Sequence, residues 1–319
     1  MNFGFVGTTE FAASILQDLI ENNNRRPQWV ITKPDSIAGR GKRLVPPPVK
    51  KIADEHLIKV YQPSKIDTTF LDSFPHHNPQ LIIVVAYGLI LPKEFLQLPS
   101  RCCVNIHTSL LPRWRGASPI ERAIQAGDAE IGVSLIEITE ALDAGPIIMQ
   151  KRSDLSMGET AEDVTPKLNQ MSKDLLNEYL SDPDAWSVSA QKDSEANYAD
   201  KITKEEVQID WTQDAATIAR HINAFNLHLG AYSWLEETRI KLLKAIPAAD
   251  HNGNKLPAGS IKLFGSPLAT QLKVVCGKGE IEVLKLQFPG GAKMHPKQVQ
   301  GKSPLDGAKQ FVNKVLSQS

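Results

Sequence analysis

The sequence predicts a two-part α/β fold, with an open, mostly parallel, Rossmann-like sheet in the N-terminal domain and a small OB-like β-barrel in the C-terminal domain. Strand and helix patterns alternate over residues 1–150, which is typical of a parallel sheet. Short β-like runs separated by Gly, Pro and Asn follow later in the chain and favour a barrel. The chain of 319 residues also exceeds the ~250–300 residues at which one hydrophobic core stops growing.

The N-terminal elements are predicted from the spacing of their apolar residues. Residues 2–6 form a short apolar run, and apolar residues then recur at helical spacing after Gly7-Thr8-Thr9. A strand, a tight turn and a helix therefore open the fold. The unbroken apolar run at 81–87 predicts a parallel strand that is covered on both faces. Further strands are expected at 29–32, 102–107 and 132–138, and further helices at 49–55, 119–126 and 163–180.

A change in composition marks the end of the first domain. After residue 180 the chain is rich in Ser, Asp, Ala and Pro and has no sustained period. We place the N-terminal domain at residues 1–185, a linker at 186–207 and the C-terminal domain at 208–319. Barrel strands are expected at 231–235, 240–245, 260–264, 272–275 and 281–288, with helices at 215–225 and 307–316.

Charge is balanced over the whole chain but not along it. Lys plus Arg and Asp plus Glu number 36 each, whereas residues 251–319 contain ten Lys and three acidic residues. A basic C-terminal region on an otherwise acidic chain favours a polyanionic partner. Three Cys are too few for a disulfide framework, and no apolar run reaches the ~18–20 residues of a membrane-spanning helix. We expect a reduced, cytoplasmic protein with no signal peptide and no membrane partner, and a monomer.

One segment combines residue types that acyl-group chemistry needs. Asn105 and His107 are two residues apart near the end of a predicted strand, so their side chains share a face at the edge where open α/β sheets bind ligands. Asn offers a neutral donor to a developing oxyanion, and His titrates near neutral pH. Asp143, in a loop with Gly and Pro after another strand, is the candidate carboxylate that orients the imidazole. Each of these residue types is more often structural when taken singly, and their joint placement favours a catalytic site.

These segments resemble the motifs of a known family, the folate-dependent formyltransferases. The resemblance lies in Asn105-Ile106-His107, Ser109-Leu110-Leu111-Pro112, Arg115-Gly116, Pro119 and Leu142-Asp143-Ala144-Gly145. It implies that a formyl group passes from 10-formyltetrahydrofolate to an amine, with no metal required. Segments 7–12, 33–44, 197–202 and 209–211 are similar to the branch that formylates the amino group of methionyl initiator tRNA.

Two single positions and one short segment depart from the family pattern. Thr9 and Ala144 stand where the family usually has Pro and Thr, and neither change removes a proposed catalytic group. Residues 226–229 read Asn-Leu-His-Leu where the family has Asn-Pro-Trp-Pro. This last change bears on the packing of the second domain or on its RNA contacts.

The resemblance implies a role for each candidate residue. Asn105 and a protonated His107 would donate hydrogen bonds to the oxyanion, and Asp143 would orient His107 and help to relay the amine proton. The folate pocket is expected from Ser109, Leu110, Leu111 and Pro112, together with Tyr87, Gly88, Leu89, Ile90 and Leu91. In loop 33–48, the residues expected to contact tRNA are Arg40, Lys42 and Arg43.

The lysines of the barrel suit phosphate contacts that position RNA without reading its sequence. They are Lys255, Lys262, Lys273, Lys278, Lys285, Lys293, Lys297 and Lys302. Two other interpretations stay open at this point. One is formyl transfer to a small amine such as an amino sugar nucleotide, and the other is a catalytically inactive RNA-binding relative.

Overall fold

The computed structural model describes the chain in seven stretches. They are residues 1–38, 43–75, 77–227, 229–249, 256–264, 271–298 and 310–312. The chain divides into two compact units, each assembled from three segments. Unit 1 comprises Met1–Gly116, Gly132–Ser153 and Pro166–Tyr198, and unit 2 comprises Ala117–Ile131, Asp154–Thr165 and Ala199–Ser319. None of the helices in the described stretches is long and apolar enough to cross a membrane.

The larger sheet has seven strands, and its central strands run parallel. The strands are β1 (Phe3–Gly7), β2 (Trp29–Ile31), β5 (Lys59–Tyr61), β6 (Leu81–Val85), β7 (Cys102–His107), β9 (Glu130–Glu137) and β10 (Ile147–Asp154). Their order is β10-β9-β7-β6-β1-β2-β5. Strand β9 is antiparallel to β7 and places Ser134 opposite His107. All five residues of β6 are buried, which explains its unbroken apolar run. The predicted mostly parallel sheet is confirmed.

Seven α-helices accompany the strands in the described stretches. They are α1 (Glu10–Glu21), α2 (Pro48–Glu55), α3 (Thr68–Ser73), α4 (Lys93–Leu96), α5 (Pro119–Ala126), α6 (Ala161–Ser181) and α7 (Ala215–Ala224). Helix α1 begins after Thr9, whose side-chain oxygen accepts a hydrogen bond from the Ala12 amide at 3.4 Å. Gly7 is the last residue of β1, and a side chain would not fit there because an added Cβ would lie 2.8 Å from the Val85 carbonyl oxygen. The first strand, turn and helix therefore form as the sequence predicts.

Loop 33–48 contains a short hairpin that the sequence did not predict. Its strands β3 (Ser36–Ala38) and β4 (Arg43–Val45) pair antiparallel, with Ile37 opposite Leu44. These two apolar side chains are 67% and 66% exposed, so the pair does not belong to a hydrophobic core. Residues 39–42, between the two strands, lie outside the described stretches.

Unit 2 carries the antiparallel sheet expected for the barrel. Its strands are β12 (Tyr232–Leu235), β13 (Thr238–Ala248), β14 (Ile261–Phe264), β15 (Gln271–Val275) and β16 (Glu280–Gln287), and β17 (Lys293–Met294) pairs with β16. The order is β12-β13-β16-β15-β14. Helix α7 packs on β13, where the Asn223 amide group exchanges two hydrogen bonds with the backbone of Ala245, at 2.9 and 3.0 Å. Two short strands, β8 (Arg115–Gly116) and β11 (Tyr198–Ala199), complete the described elements.

The helix predicted at 307–316 is wrong where that segment is described. Gln310 forms a β-bridge with Ser260, and Val312 forms one with Trp234. The Phe311 amide also donates to the carbonyl of Gly259 at 2.9 Å. Backbone bonds to distant residues thus hold 310–312 in extended form, and tertiary pairing overrides the local helical pattern. The rest of the predicted helix lies outside the described stretches.

Candidate active site

The loop that carries Asp143 takes an unexpected path to β7. Because β9 is antiparallel to β7, this loop begins beside Cys103, whose carbonyl accepts the Ile138 amide at 2.8 Å. The chain then returns along the face of β7 from which Asn105 and His107 project. The three side chains therefore meet because this loop brings Asp143 next to Asn105 and His107.

Three polar groups surround the Asp143 carboxylate. Its Oδ1 accepts a hydrogen bond from Asn105 Nδ2 at 3.4 Å, and its Oδ2 accepts one from the Gly116 amide at 2.9 Å. The same Oδ2 lies 3.6 Å from His107 Nδ1. The side chains of His107 and Asp143 are only 7% and 14% exposed. Water is therefore largely excluded, and the low local dielectric constant strengthens these electrostatic interactions. The structure thus brings the three predicted catalytic side chains to one point.

The hydrogen bonds of His107 define which ring nitrogen carries a proton. Its Nε2 lies 2.8 Å from the carbonyl oxygen of Trp114, which can only accept, so Nε2 is protonated. Nδ1 is then the nitrogen that faces Asp143, and both ring nitrogens point at protein oxygens. Among the described residues, the Asn105 side chain bonds only to Asp143 and keeps a second amide N–H for another acceptor.

The turn after β7 is held by buried hydrogen bonds to Ser134. The Ser134 hydroxyl donates to the carbonyl of Ser109 at 2.7 Å and accepts from the Leu111 amide at 3.1 Å. Gln150 Nε2 donates to the same hydroxyl at 2.8 Å and to the Leu111 carbonyl at 2.9 Å. Ser109 and Leu111 are buried, Leu110 and Pro112 are half-buried, and the Leu111–Pro112 peptide bond is cis. The predicted folate-binding turn thus follows the Asn105–His107 strand and is held in place by these hydrogen bonds.

Some residues of the segment after β6 lie in the core, and others are exposed to solvent. Tyr87 is buried in the hydrophobic core of the sheet, and Leu89 and Leu91 pack against that core, whereas Ile90 is 90% exposed. Gly88 has a φ of 74°, which suits glycine. Burial raises the pKa of Tyr87 to about 12, and its hydroxyl finds no hydrogen-bond partner among the described residues.

The predicted RNA-binding residues are only partly within the described stretches. Arg40 and Lys42 lie outside them, and Arg43 is exposed in β4. Several barrel lysines turn out to be ion-paired. Lys285 and Lys293 donate to the two carboxylate oxygens of Glu162, at 2.9 and 2.8 Å, and Lys262 pairs with Glu280. Lys278 and Lys297 are exposed, Lys273 is half-buried, and Lys255 and Lys302 lie outside the described stretches.

Sequence reasoning missed the groups that support the site. Ser134 and Gln150 brace the turn after β7, and the Gly116 amide anchors Asp143. Gln191, in the segment predicted to be a linker, donates hydrogen bonds to the backbone of the Asp143 loop. These contacts join residues far apart in the chain, and no local pattern in the sequence signals them.

Comparison with known proteins decides the family. Residues 1–180 match the family described as Formyl transferase, and residues 201–303 match its C-terminal domain. The chain belongs to the formyl transferase family. A formyl transferase family member named methionyl-tRNA formyltransferase, from Methylococcus capsulatus, is 39% identical over 303 residues, covering 93% of this chain and 95% of its own. The protein of the same name from Idiomarina loihiensis is 39% identical over 302 residues, covering 91% and 92% of the two chains.

Solved structures show the same formyl transferase fold. WlaRD, described as a sugar 3N-formyl transferase crystallised with dTDP and 5-N-formyl-THF, matches with a TM-score of 0.65 at 16% identity and covers 99% of both chains. HypX from Aquifex aeolicus, in complex with tetrahydrofolic acid, matches with a TM-score of 0.62 at 18% identity. That match covers 97% of this chain and 48% of HypX, so the chain spans about half the length of HypX. At these identities the likeness concerns the fold.

Proposed function

We propose that this formyl transferase moves the formyl group of 10-formyltetrahydrofolate to the amino group of methionyl initiator tRNA, giving N-formylmethionyl-tRNA for translation initiation in the cytoplasm. The observation that carries the proposal is the position of the Asp143 carboxylate, which lies 3.4 Å from Asn105 Nδ2 and 3.6 Å from His107 Nδ1. Relatives that bear the corresponding name match this chain over more than nine-tenths of its length. Their names support the choice of acceptor.

The proposed chemistry needs a donor to an oxyanion and a path for one proton. The neutral amine attacks the formyl carbon, its proton leaves through the His107–Asp143 pair, and the bond to the folate nitrogen breaks as that nitrogen takes up a proton. The unused N–H of Asn105 is ready to donate to the formyl oxygen, a contribution of about 10²–10³ in rate. His107 can donate there only after its Nε2–H turns from the Trp114 carbonyl.

Two features of the site suit a folate. The exposed Ile90 after β6 offers an apolar surface, and the backbone of the turn 109–112 is held beside the strand of Asn105 and His107. Sites for such ligands combine apolar walls with a few polar anchors. In this proposal the segment 87–91 and the turn 109–112 contact the donor, and no residue is assigned to a metal.

The β3–β4 hairpin is the proposed contact with RNA in unit 1. Arg43 is exposed there, and Arg40 and Lys42 are its near neighbours in the sequence. Phosphate contacts of this kind weaken steeply with salt. The ion pairs of Lys285 and Lys293 with Glu162 leave these two lysines less available for phosphates than sequence alone indicated.

One assay separates the proposed reaction from the two alternatives. The protein is incubated with 10-formyltetrahydrofolate and, in parallel, with charged initiator tRNA, uncharged tRNA or an amino sugar nucleotide, and release of tetrahydrofolate is followed. We expect release with charged initiator tRNA alone. Release with the sugar nucleotide would establish the small-amine alternative, and tRNA binding without any release would establish the inactive relative.

The hairpin assignment has its own test. Arg43→Ala should raise the KM for tRNA and leave the kcat near the wild-type value, and its KM should depend less steeply on salt because one phosphate contact is lost. Lys51→Ala is the matched control, because it removes an exposed positive charge from the neighbouring helix α2. Equal effects of the two substitutions on the KM for tRNA would show that only the total charge of the protein matters, and would contradict the proposed contact of Arg43.

A further inference from the structure

We infer that Gln191 is a positioning residue for Asp143, which fixes the carboxylate by binding the backbone of the loop that carries it. The inference deepens the proposed formyl transfer and rests on it. Gln191 lies outside the motifs by which the sequence resembles its family, in a segment that composition alone marked as a linker.

The side chain of Gln191 uses both of its N–H donors on the Asp143 loop. Its Nε2 donates to the carbonyl oxygen of Asp143 at 2.8 Å and to that of Gly145 at 2.7 Å. Asp143 has a φ of 48°, in the left-handed region that a non-glycine residue occupies at a cost. The two bonds hold the carbonyls of Asp143 and Gly145, and so fix the backbone that follows the Asp143 Cα and the direction of the carboxylate.

The same amide group also binds the opposite wall of the site. Its Oε1 accepts a hydrogen bond from Arg115 Nε at 3.0 Å, and the Arg115 side chain is 4% exposed. The next residue, Gly116, donates its amide to Asp143 Oδ2 at 2.9 Å. Gln191 therefore links the two backbone segments between which the Asp143 carboxylate is held, one that carries it and one that hydrogen-bonds it.

The segment around Gln191 is fastened to the site at every second residue. Ser189 exchanges two backbone hydrogen bonds with Ile147, both at 2.8 Å. Asp193 accepts a hydrogen bond from the Arg115 guanidinium at 2.8 Å. Residues 189, 191 and 193 each hydrogen-bond a different part of the site, and we call this stretch of chain the strap. Gln191 is the member of the strap that touches the backbone of Asp143 itself.

The test compares the wild type with Gln191→Met, which keeps the length of the side chain and removes its hydrogen bonds. We expect the kcat for formyl transfer to charged initiator tRNA to fall about 10- to 100-fold, because a displacement of a catalytic group by about 1 Å costs on that order. The KM values for tRNA and for 10-formyltetrahydrofolate should stay near those of the wild type, because in this inference Gln191 acts through Asp143 and not on either substrate. Lys192→Met is the matched control, since the Lys192 side chain is 75% exposed and pairs only with Glu195 among the described residues.

A second variant separates positioning of Asp143 from support of Arg115. Gln191→Glu keeps an acceptor for Arg115 and loses both donors to the loop, so we expect it to be as slow as Gln191→Met. A Gln191→Glu variant as fast as the wild type would overturn the inference, as would a Gln191→Met variant whose kcat stays within about twofold of the wild type. Raised KM values with an unchanged kcat would also overturn it. A wild-type protein without any formyl transfer would instead refute the proposed function, and the inference with it.

Discussion

Gly145 offers a test of the site geometry that changes no proposed catalytic group. A Cβ at this position would lie 1.8 Å from the backbone oxygen of Glu137, whereas real Cβ contacts stay beyond 3.0 Å. Gly145→Ala must therefore move the loop by at least about 1.2 Å, the difference between these two distances. Asp143 is two residues away on that loop, and the Gln191 bond to the Gly145 carbonyl resists the movement. We expect the kcat to fall about 100-fold, since a 1 Å misplacement costs on that order.

The Gly145→Ala experiment measures single-turnover formyl transfer and denaturant unfolding on the same preparation. Overpacking of this kind costs about 1–3 kcal/mol of stability, which most domains tolerate. Gly291→Ala is the control, because the nearest atom to its added Cβ is 3.4 Å away. A Gly145→Ala protein with wild-type kcat would refute the claim that the position of the Asp143 loop governs the reaction.

Three further predictions follow from the described contacts. Asn105→Ala should lower the kcat about 10²–10³-fold because it removes the proposed oxyanion donor, with little change in the free energy of unfolding. A kcat near that of the wild type in steady-state assays would contradict that role. Ser134→Ala should cost about 1–3 kcal/mol in urea unfolding, since three hydrogen bonds of a buried hydroxyl are lost, and an unchanged midpoint would contradict the bracing role. Hydrogen bonds from Lys293 and Lys285 hold the pKa of Glu162 below its ordinary value of 4.5. The stabilisation from this lowered pKa is complete above pH 4.5 and is lost as the pH falls through the lowered pKa. Glu162→Gln should therefore flatten the acid side of a plot of Tm against pH. An unchanged acid side of that plot would contradict the assignment.

The sequence predicted best those elements whose apolar pattern reflects burial. The run 81–87 is a buried parallel strand, and the alternation of Asn105 and His107 places both side chains beside Asp143. The direction of β9 could not be predicted, because an alternating pattern is the same in parallel and antiparallel strands. The antiparallel course of β9, and hence the route of the Asp143 loop, appears only in the structure.

Long-range contacts account for the remaining differences. The segment 310–312 is extended because it pairs with Ser260 and Trp234, which outweighs its local helical pattern. The hydrogen bond from Gln191 to Asp143 joins residues 48 apart, and the bond from Ser134 to Ser109 joins residues 25 apart. Such supports depend on the folded arrangement of several segments, so they leave no signature in any short stretch of sequence.

The most direct test of the account is the single-turnover rate of formyl transfer by Asp143→Asn with charged initiator tRNA and saturating donor. The substitution keeps the shape of the side chain and removes its negative charge, and it introduces an amide N–H that faces the donors of Asn105 and Gly116. We predict a rate about 10²–10⁴-fold below the wild type, with the protein still folded. A rate within about threefold of the wild type would contradict the claim that these groups act together on the formyl carbon.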